Sequence, residues 1–441
     1  MSIENRKTDR KRLRFIFKMV NGATPKSSNQ EYWDGTIPWA TPDDLGDVGN
    51  DTLFETDRFI TEDGLNSCGT TLVPTGSIIL STRAPIGHLA IAGCQMCTNQ
   101  GCRSLVFKLP DDKKYFYYQL IAEKEELQSR GEGTTFKELA LPKLKDVWLY
   151  HPPYQEQQII ARFLDHKTAL IDQYIANKKK QIKLLEKLRT AIISEAVTQG
   201  LNPDVEMKDS GVEWCSTIPA HWKLERFRYF LDGGTQNGLY KAASFSNVSG
   251  VPMISMGEAF SGRVIERLGV ESFTLTGKEK EDYGLEAGDL LFARRSLVFE
   301  GSGKCSMVGR GAKGSVFESS IIRVRVKDKR TLAKFALCFM GSVAGRFQML
   351  QNTKQVTISG IDSFAIKDFV YIDLPINEQE AIVRHIEKQG LKIDSSIEKV
   401  NEQIVAIERL RASLISEAVT GKIDVRDFKP EPMEAITAEA G

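Results

Sequence analysis

The chain has 441 residues, a formal net charge of +1 and a hydrophobic content of 41%. This length is too great for one hydrophobic core and predicts two to four compact units. No apolar run is long enough to cross a bilayer, and the first residues lack the apolar core of a signal peptide, so we expect a cytoplasmic protein. The near-neutral charge excludes a uniformly basic nucleic-acid binder, but local basic loops would still be able to bind phosphate.

Residues 1–150 contain short β-rich runs, at 35–40, 75–83 and 103–108, bounded by Gly, Pro, Asn and Asp. Such runs predict a mixed α+β domain. Polar and cationic side chains cluster in its turns, and these are candidates to bind DNA. Arg, Asn and Gln read base edges, whereas Lys, Ser and Thr more often hold phosphate. The candidates are Lys26, Ser28, Asn29, Gln30, Arg83, Asn99, Gln100, Arg103, Thr134 and Thr135.

Seven cysteines in a large cytosolic chain indicate reduced thiols. Cys94, Cys97 and Cys102, with Cys68 upstream, suggest zinc as an alternative. A zinc site is disfavoured because only His88 lies near and no second Cys-x2-Cys pair follows. We therefore predict no metal site.

A long helix is predicted for residues 151–200, because its opening prolines suit a first helical turn. Its sequence recurs 222 residues later, at 373–424, with 19 identities in the 46 positions from Pro153 to Thr198. Chance would leave roughly three identities, so the repeat is genuine. In both copies apolar residues recur at spacings of four and three, as in a coiled coil. The predicted seam residues are Ile171, Ile175, Ile182, Leu185, Ile192, Ile393, Ile397, Val400, Ile404, Ile407 and Leu414.

The two matching stripes are buried most economically against each other. We therefore predict an antiparallel helix pair, roughly 65 Å long at the usual rise per residue, with a β-rich domain at each end. The alternative is that each helix only covers its own domain.

Residues 201–222 are a predicted linker, 223–372 a second β-rich domain and 425–441 a flexible tail. The second domain repeats landmarks of the first, since Arg295 corresponds to Arg83 and Gly288 to Gly76, while the loops differ. One scaffold with two sets of loops indicates two different recognition surfaces. The DNA-binding candidates here are Gln236, Asn237, Lys241, Arg294, Arg295, Lys304, Arg310, Lys354 and Gln355.

Three motifs suggest catalysis but lack residues that the chemistry requires. His151 stands where the Asp/Asn-Pro-Pro-Tyr motif of amino-group methyltransferases needs a carbonyl or carboxylate. The nuclease-like letters at 203–208 are too closely spaced to come from separate strands. The phosphate-loop pattern before Lys304 has Val298 in place of its first glycine. We predict no catalytic residues.

The chain resembles the specificity subunit of type I restriction-modification systems over about residues 13–424. The most specific similarity is the junction at 200–214 and 218–222. Further matches are the Pro-x2-Glu-Gln-x2-Ile runs that begin at Pro153 and Pro375, and residues 98–101. The first half departs from the second by lacking the lead-in from Trp214 to Trp222, and it begins instead with the charged stretch 6–14.

The resemblance implies an α+β fold with two target recognition domains, joined by conserved helices that pair as an antiparallel coiled coil with pseudo-two-fold symmetry. Each domain would read one half of a bipartite, asymmetric double-stranded DNA site, and the helices would set the gap. Family members assemble with two modification (methyltransferase) subunits and two restriction (translocase and nuclease) subunits. S-adenosylmethionine, ATP and Mg2+ are then expected on those partner subunits, with no cofactor in this chain.

We expect the outer helix faces to dock the methyltransferase subunits, because a two-helix pair would leave Ile160, Phe163, Leu170 and Ile193 uncovered. Two rival functions are a non-catalytic structural adaptor without DNA specificity and a methyltransferase in its own right. Salt-sensitive DNA binding would argue against the adaptor, and failure to bind S-adenosylmethionine would argue against the methyltransferase.

Overall fold

The computed structural model describes residues 10–46, 51–133, 137–242, 246–354 and 359–429. The chain forms two compact units. The first joins Met1–Lys178 to Glu402–Gly441, and the second is Lys179–Asn401. Each long helix therefore contributes one part to each unit. Within the described ranges, no helix is both long and apolar enough to span a membrane.

The described residues before Tyr154 form ten short strands and six short helices. The strands are β1 (Arg10–Arg12), β2 (Phe17–Asn21), β3 (Trp33–Ala40), β4 (Thr52–Leu53), β5 (Phe59–Ile60), β6 (Ile78–Ser81), β7 (Leu89–Ala92), β8 (Cys97–Thr98), β9 (Cys102–Phe107) and β10 (Trp148–Tyr150). The helices are α1 (Leu13–Ile16), α2 (Pro42–Gly46), α3 (Glu62–Asn66), α4 (Lys113–Ala122), α5 (Lys124–Ser129) and α6 (Leu141–Lys145). The sheets have the orders β2-β9-β6-β7-β4, β5-β3-β8 and β1-β10. The first long helix, α7 (Tyr154–Gln199), follows.

The described residues between the two long helices repeat this arrangement. The strands are β11 (Met207–Val212), β12 (Cys215–Pro219), β13 (Lys223–Arg226), β14 (Leu231–Asn237), β15 (Ser246–Ile254), β16 (Val264–Ile265), β17 (Glu271–Phe273), β18 (Leu290–Ala293), β19 (Arg295–Ser296), β20 (Cys305–Val308), β21 (Val316–Phe317), β22 (Ile321–Val326), β23 (Ser359–Gly360) and β24 (Val370–Asp373). The helices are α8 (Met256–Ala259), α9 (Gly277–Tyr283), α10 (Ala333–Gly341), α11 (Val343–Gln351) and α12 (Ser363–Asp368), and the second long helix, α13 (Ile376–Val419), comes last. The main sheets, β14-β22-β18-β20-β16 and β17-β15-β21, match those of the first unit strand for strand.

Equivalent positions in the two β-rich parts follow from the strand register. Leu80 pairs with Leu89 in the first five-stranded sheet, and Phe292 pairs with Cys305 in the second. Gly76 and Gly288 precede these paired strands with φ of 87° and 95°, a region that glycine adopts without a Cβ penalty. The fold is thus an internal repeat of one α+β scaffold.

The middle of each long helix is exposed except along one stripe. In α7 from residue 172 to 191, only the residues at spacings of three and four are partly buried, and α13 shows the same pattern 222 residues later. This is the burial expected when two heptad stripes face each other. The stripe residues are Ile175, Lys178, Ile182, Leu185 and Arg189 in α7, and Ile397, Val400, Ile404, Ile407 and Arg411 in α13.

The helix direction is visible within each unit. In the first unit, Leu164 near the start of α7 shares a core with Ile415 near the end of α13. In the second unit, Val197 near the end of α7 shares a core with Ile382 near the start of α13. The two helices therefore pair as an antiparallel coiled coil.

Matching ion pairs join the helices in both units. In the first unit, Arg411 Nη2 lies 3.5 Å from Asp172 Oδ2. In the second, Arg189 forms an ion pair with Asp394. Asp172 and Asp394 are equivalent in the 222-residue repeat, and so are Arg189 and Arg411. Each ion pair therefore joins the Asp of one helix to the Arg of the other, and the repeated helices make the same contact twice.

The expectation that apolar helix residues would lie uncovered is wrong for Ile160, Phe163 and Ile193. These side chains are buried because the β-rich part of each unit packs over them, and Leu170 is half-buried. The large apolar side chains that are exposed on the two helices are instead Tyr154, Tyr174, Leu184, Leu188, Leu391, Val405 and Leu410.

A buried glutamine ties each long helix to its domain. Gln379 Oε1 accepts hydrogen bonds from the Leu332 N–H at 2.9 Å and the Thr331 hydroxyl at 3.1 Å, and its Nε2 donates to two backbone carbonyls. Gln157 Oε1 likewise accepts from the Asp112 N–H at 2.9 Å. Both amides are fully buried, so their four hydrogen-bonding positions must be satisfied inside the protein.

The predicted linker and the described part of the predicted tail contain packed residues, while residues 430–441 lie outside the described ranges. The predicted linker at 201–222 contains the β11–β12 hairpin and ends in Trp222, whose indole N–H donates to Glu378 Oε2 at 2.9 Å. In the predicted tail, Val425 is buried and the Phe428 ring packs on Phe163 with centroids 5.1 Å apart. Isolated aromatic and aliphatic residues thus anchor segments that otherwise look polar.

Replacing Gln379 with Met should strongly destabilise the protein. Met keeps the side-chain volume but leaves buried backbone groups without partners, each at a cost of about 1–3 kcal/mol, so we expect a total loss of about 3–5 kcal/mol. Denaturant unfolding of the full chain measures it. Gln403→Met, at an exposed position of the same helix, should change stability by less than about 0.5 kcal/mol. Equal stability of the two variants would contradict this role of Gln379.

Candidate nucleic-acid interface

One end of the first five-stranded sheet brings several predicted residues together. The Gly101 carbonyl accepts hydrogen bonds from the backbone N–H groups of Thr82, at 2.8 Å, and Arg83, at 3.2 Å. The Asn99 side chain accepts from the Gly101 N–H at 2.8 Å, and Arg103 donates to the side chain of Asn21 on β2. Arg83, Asn99, Gln100 and Arg103 therefore form one polar cluster, which we call the first cluster.

The cations of the first cluster differ in environment. Arg83 Nε lies 3.1 Å from Glu138 Oε2, with both side chains nearly half exposed, so this pair contributes little stability. Burial lowers the pKa of the Arg103 guanidinium, Glu138 raises it, and Arg83 lowers it further. Arg103 Nε is buried without a hydrogen-bond partner among the described residues. Glu132, which is bridged to Glu138, pairs with Lys143, so the three cations Arg83, Arg103 and Lys143 outnumber the two carboxylates at this edge of the sheet.

The loop after β2 begins at the first cluster, because the Thr24 hydroxyl donates to the side chain of Gln100. Further along, Asn29 caps a short turn by accepting from the Glu31 N–H at 3.2 Å, which gives this residue a local structural role. Lys26, Ser28 and Gln30 are exposed. Thr134 and Thr135 lie outside the described residues.

The second five-stranded sheet carries a corresponding cluster. Arg295 on β19 pairs with Gly360 on β23, and Gly360 exchanges backbone hydrogen bonds with Lys354. The Lys304 carbonyl accepts from the N–H of Ala293. These contacts bring Arg294, Arg295, Lys304 and Lys354 together as the second cluster.

The remaining candidates of the second domain occupy other positions. Arg310 lies at the opposite end of β18 from the second cluster, beside a cavity of about 1130 Å3 that Arg189 and Glu380 also line. Lys241 Nζ lies 2.7 Å from Glu279 Oε1 and is largely buried. Gln236 is half-buried and Asn237 exposed on β14. Gln355 lies outside the described residues. Arg310 and Lys241 thus lie outside the second cluster. The basic composition of a loop does not show at which end of the sheet that loop lies.

Strand register equates the two clusters residue by residue. Arg83 forms a backbone β-bridge with Glu138, and Arg295 pairs in the same way with Gly360. The two arginines therefore occupy the same place in the scaffold. Around them the side chains differ. The differing pairs are Thr82 and Arg294, Asn99 and Glu318, Arg103 and Ile322, and Glu132 and Lys354.

Sequence reasoning missed Asn21, which contacts Arg103 and corresponds to Asn237 by strand register. A signal was present, because both asparagines precede a glycine, Gly22 or Gly238. A Cβ on either glycine would lie within about 2.0 Å of the backbone of a neighbouring strand connection, which explains the repeated Asn-Gly step.

The cysteines of the first unit are separately placed. Within the ranges that the structure describes, no group of three or more His, Cys, Asp or Glu side chains could hold a metal ion. Burial raises the pKa of the Cys97 thiol to about 11 and also raises that of Cys102. Both thiols therefore stay protonated at neutral pH.

Cys97 and Cys102 should resist alkylation in the native protein at pH 8, because the thiolate is the reactive form and both are buried. Mass spectrometry after iodoacetamide treatment should find Cys68, which is half-buried, labelled at least tenfold faster than either. Denaturation should make all three react alike. Rapid native labelling of Cys97 would contradict the burial of its thiol.

The repeated scaffold has counterparts among known proteins. A family model described as "Type I restriction modification DNA specificity domain" matches residues 5–184. The MjaIX specificity subunit of Methanocaldococcus jannaschii is 27% identical over 95% of this chain and 94% of its own length. The EcoKI specificity subunit of Escherichia coli is 26% identical over 65% of this chain and 60% of its own.

A solved structure shares the fold. Described as the structural basis of complex assembly and conformational transition of the type I R-M system, it superposes with a TM-score of 0.66 at 13% identity. The superposition covers 94% of this chain and 98% of that chain. Residues 5–184 thus match the type I DNA specificity domain, and nearly the whole chain is similar to type I restriction enzyme specificity subunits.

Proposed function

We propose that this chain reads a bipartite, asymmetric DNA sequence, one half with each β-rich domain, within a type I restriction-modification complex. The observation that carries the proposal is the pair of equivalent clusters around Arg83 and Arg295. An arginine able to contact guanine stands at the same place in both, and its neighbours differ in charge and hydrogen-bonding groups. Two equivalent scaffolds that carry different side chains at the same edge of the sheet suit recognition of two different half-sites.

The long helices would set the gap between the half-sites. Each is one uninterrupted helix, and each enters the core of both units. A helix has a fixed rise per residue, so such a frame would allow little variation in spacing. The matching ion pairs of Arg411 and Arg189 support a single helix register.

The exposed apolar residues of the helices suit docking of methyltransferase subunits. Leu188 and Leu410 are equivalent in the repeat and about half exposed, with Leu184 one turn before Leu188 and Val405 five residues before Leu410. Aliphatic groups at equivalent positions would offer two like partners two similar surfaces.

Catalysis would belong to the partner subunits. We propose two modification subunits carrying S-adenosylmethionine and two restriction subunits carrying ATP and Mg2+, with no cofactor and no catalytic residue in this chain. The basis is the missing chemistry at His151 and around Lys304 in the motifs that most resemble catalytic ones.

Mapping methylated adenines in a host with and without this gene tests the proposal. We expect one sequence of two short half-sites with a constant gap to lose methylation when the gene is absent. Purified complex should protect that sequence, with affinity falling steeply as salt rises. An unchanged methylation map with salt-insensitive binding would instead favour a structural adaptor.

Arg83→Ala and Arg295→Ala should each weaken recognition of a different half-site. Loss of one base contact costs about 1–3 kcal/mol, so discrimination at one position should relax about fivefold to 150-fold. Competition binding with duplexes altered in one half-site at a time measures this. Arg310→Ala is the control, since Arg310 lies at the other end of β18. Loss at both half-sites from either cluster variant would contradict the two-reader model.

Leu188→Asp combined with Leu410→Asp should reduce association with the methyltransferase subunit at least tenfold, because carboxylates oppose burial of this surface. Copurification at defined subunit concentrations reports it. Leu268→Asp, at another exposed leucine away from the long helices, should leave association unchanged. Full association of the double variant would show that the partners dock elsewhere.

A further inference from the structure

The second cluster contains a loop that the first domain lacks. The connection between β18 and β20 is four residues longer than the equivalent connection between β6 and β7. It holds Leu297 at 91% exposure and Val298 at 61%. In the first domain the shorter connection has one large aliphatic residue, Ile86, which is buried to 5% exposure, while the smaller Ala84 and Pro85 are exposed. The exposed aliphatic pair is thus specific to the second domain.

The loop has a rigid base. The Arg346 guanidinium donates to the carbonyls of Glu300, at 2.8 Å, and Ser302, at 2.9 Å. The Gly301 N–H donates to the Val298 carbonyl at 3.0 Å, and Gly301 and Ser302 are buried. The two aliphatic side chains are therefore held in water by a braced loop, and binding there would order little additional chain.

The surroundings of the loop are mainly cationic. Arg295 precedes Leu297 by two residues, Lys304 ends the connection, and Lys354 is joined to Arg295 through Gly360. With Arg294 and Arg346 the region holds five cations, which outnumber its three carboxylates, the exposed Glu300 and Asp362 and the half-buried Glu318. Asp362 Oδ2 lies 3.4 Å from Lys354 Nζ. Leu297 and Val298 thus form an apolar tip within a net positive surface. Such a surface suits a ligand that carries many negative charges and also displays apolar groups.

We propose that Leu297 and Val298 contact the 5-methyl group of a thymine in the half-site read by the second domain. Thymine carries the apolar group among the major-groove base edges, whereas the other bases display hydrogen-bonding groups there. This inference rests on the proposed function and deepens it by assigning a base to a loop. The corresponding connection of the first domain exposes no large aliphatic side chain, because Ile86 lies in the core.

Uracil substitution tests the contact in the full-length chain assembled with its modification subunits. Each thymine of the recognised duplex is replaced singly by deoxyuridine, which removes only the methyl group. The wild-type complex should lose about fourfold in affinity at one position of the second half-site, the loss expected for one methyl group leaving an apolar contact. At the same position, Leu297→Ala should discriminate less between thymine and uracil duplexes than the wild type does, with the remaining preference due to Val298.

Two controls accompany Leu297→Ala. Val270→Ala removes another highly exposed aliphatic side chain of the second domain and should keep the wild-type response to uracil. Thermal unfolding of Leu297→Ala should match the wild type, because the side chain is exposed.

The inference is overturned if uracil has no effect anywhere in the second half-site, if that half-site contains no thymine, or if Leu297→Ala responds to uracil as the wild type does. Weaker association with the modification subunits, with the uracil response intact, would also overturn it and assign the loop to protein docking. Failure of the proposed function looks different, because no pair of half-sites would then be protected.

Discussion

The burial of two matching heptad stripes is the constraint on which the other features depend. Along the middle of α7 and α13 the stripe is the part that is buried, since everything outside it is exposed, and helices in proteins gain most of their stability from packing such a face. Pairing the stripes antiparallel places the start of one helix beside the end of the other in each unit. Each β-rich part then packs on both helices, and the buried amides of Gln157 and Gln379 complete the attachment.

The sequence predicted this frame well because its signals are periodic and repeated. The prolines indicate where the long helices begin. The heptad spacing and the 222-residue repeat indicate that the two helices pair with each other. The short strands were predicted in kind, but their order in the sheets was not, because strand pairing depends on contacts distant in sequence. The folded hairpin before Trp222 was missed for a related reason, since the indole is buried against a helix that begins more than 150 residues later.

The candidate site was predicted less completely. Turn composition named candidate loops, and in the structure Arg83 lies near Arg103 and Arg295 near Lys354. Composition does not distinguish the two ends of a strand. Arg310 therefore entered the prediction although it lies at the far end of β18. Asn21 was overlooked because its importance comes from register with Asn237 and from its contact with Arg103. Sequence composition did not identify the loop of Leu297 and Val298 as a candidate. The exposure of these two side chains stands out only by comparison with the buried Ile86 of the first domain.

The exchanged ion pairs also bear on how the gene can change over time. A substitution at Arg189 leaves Asp394 without its partner, and one at Arg411 does the same to Asp172. Change at one of these positions is therefore tolerated best when its partner in the other helix changes with it. The loops of each β-rich domain lie outside these ion pairs, so selection can alter a recognition surface while the helical frame stays fixed.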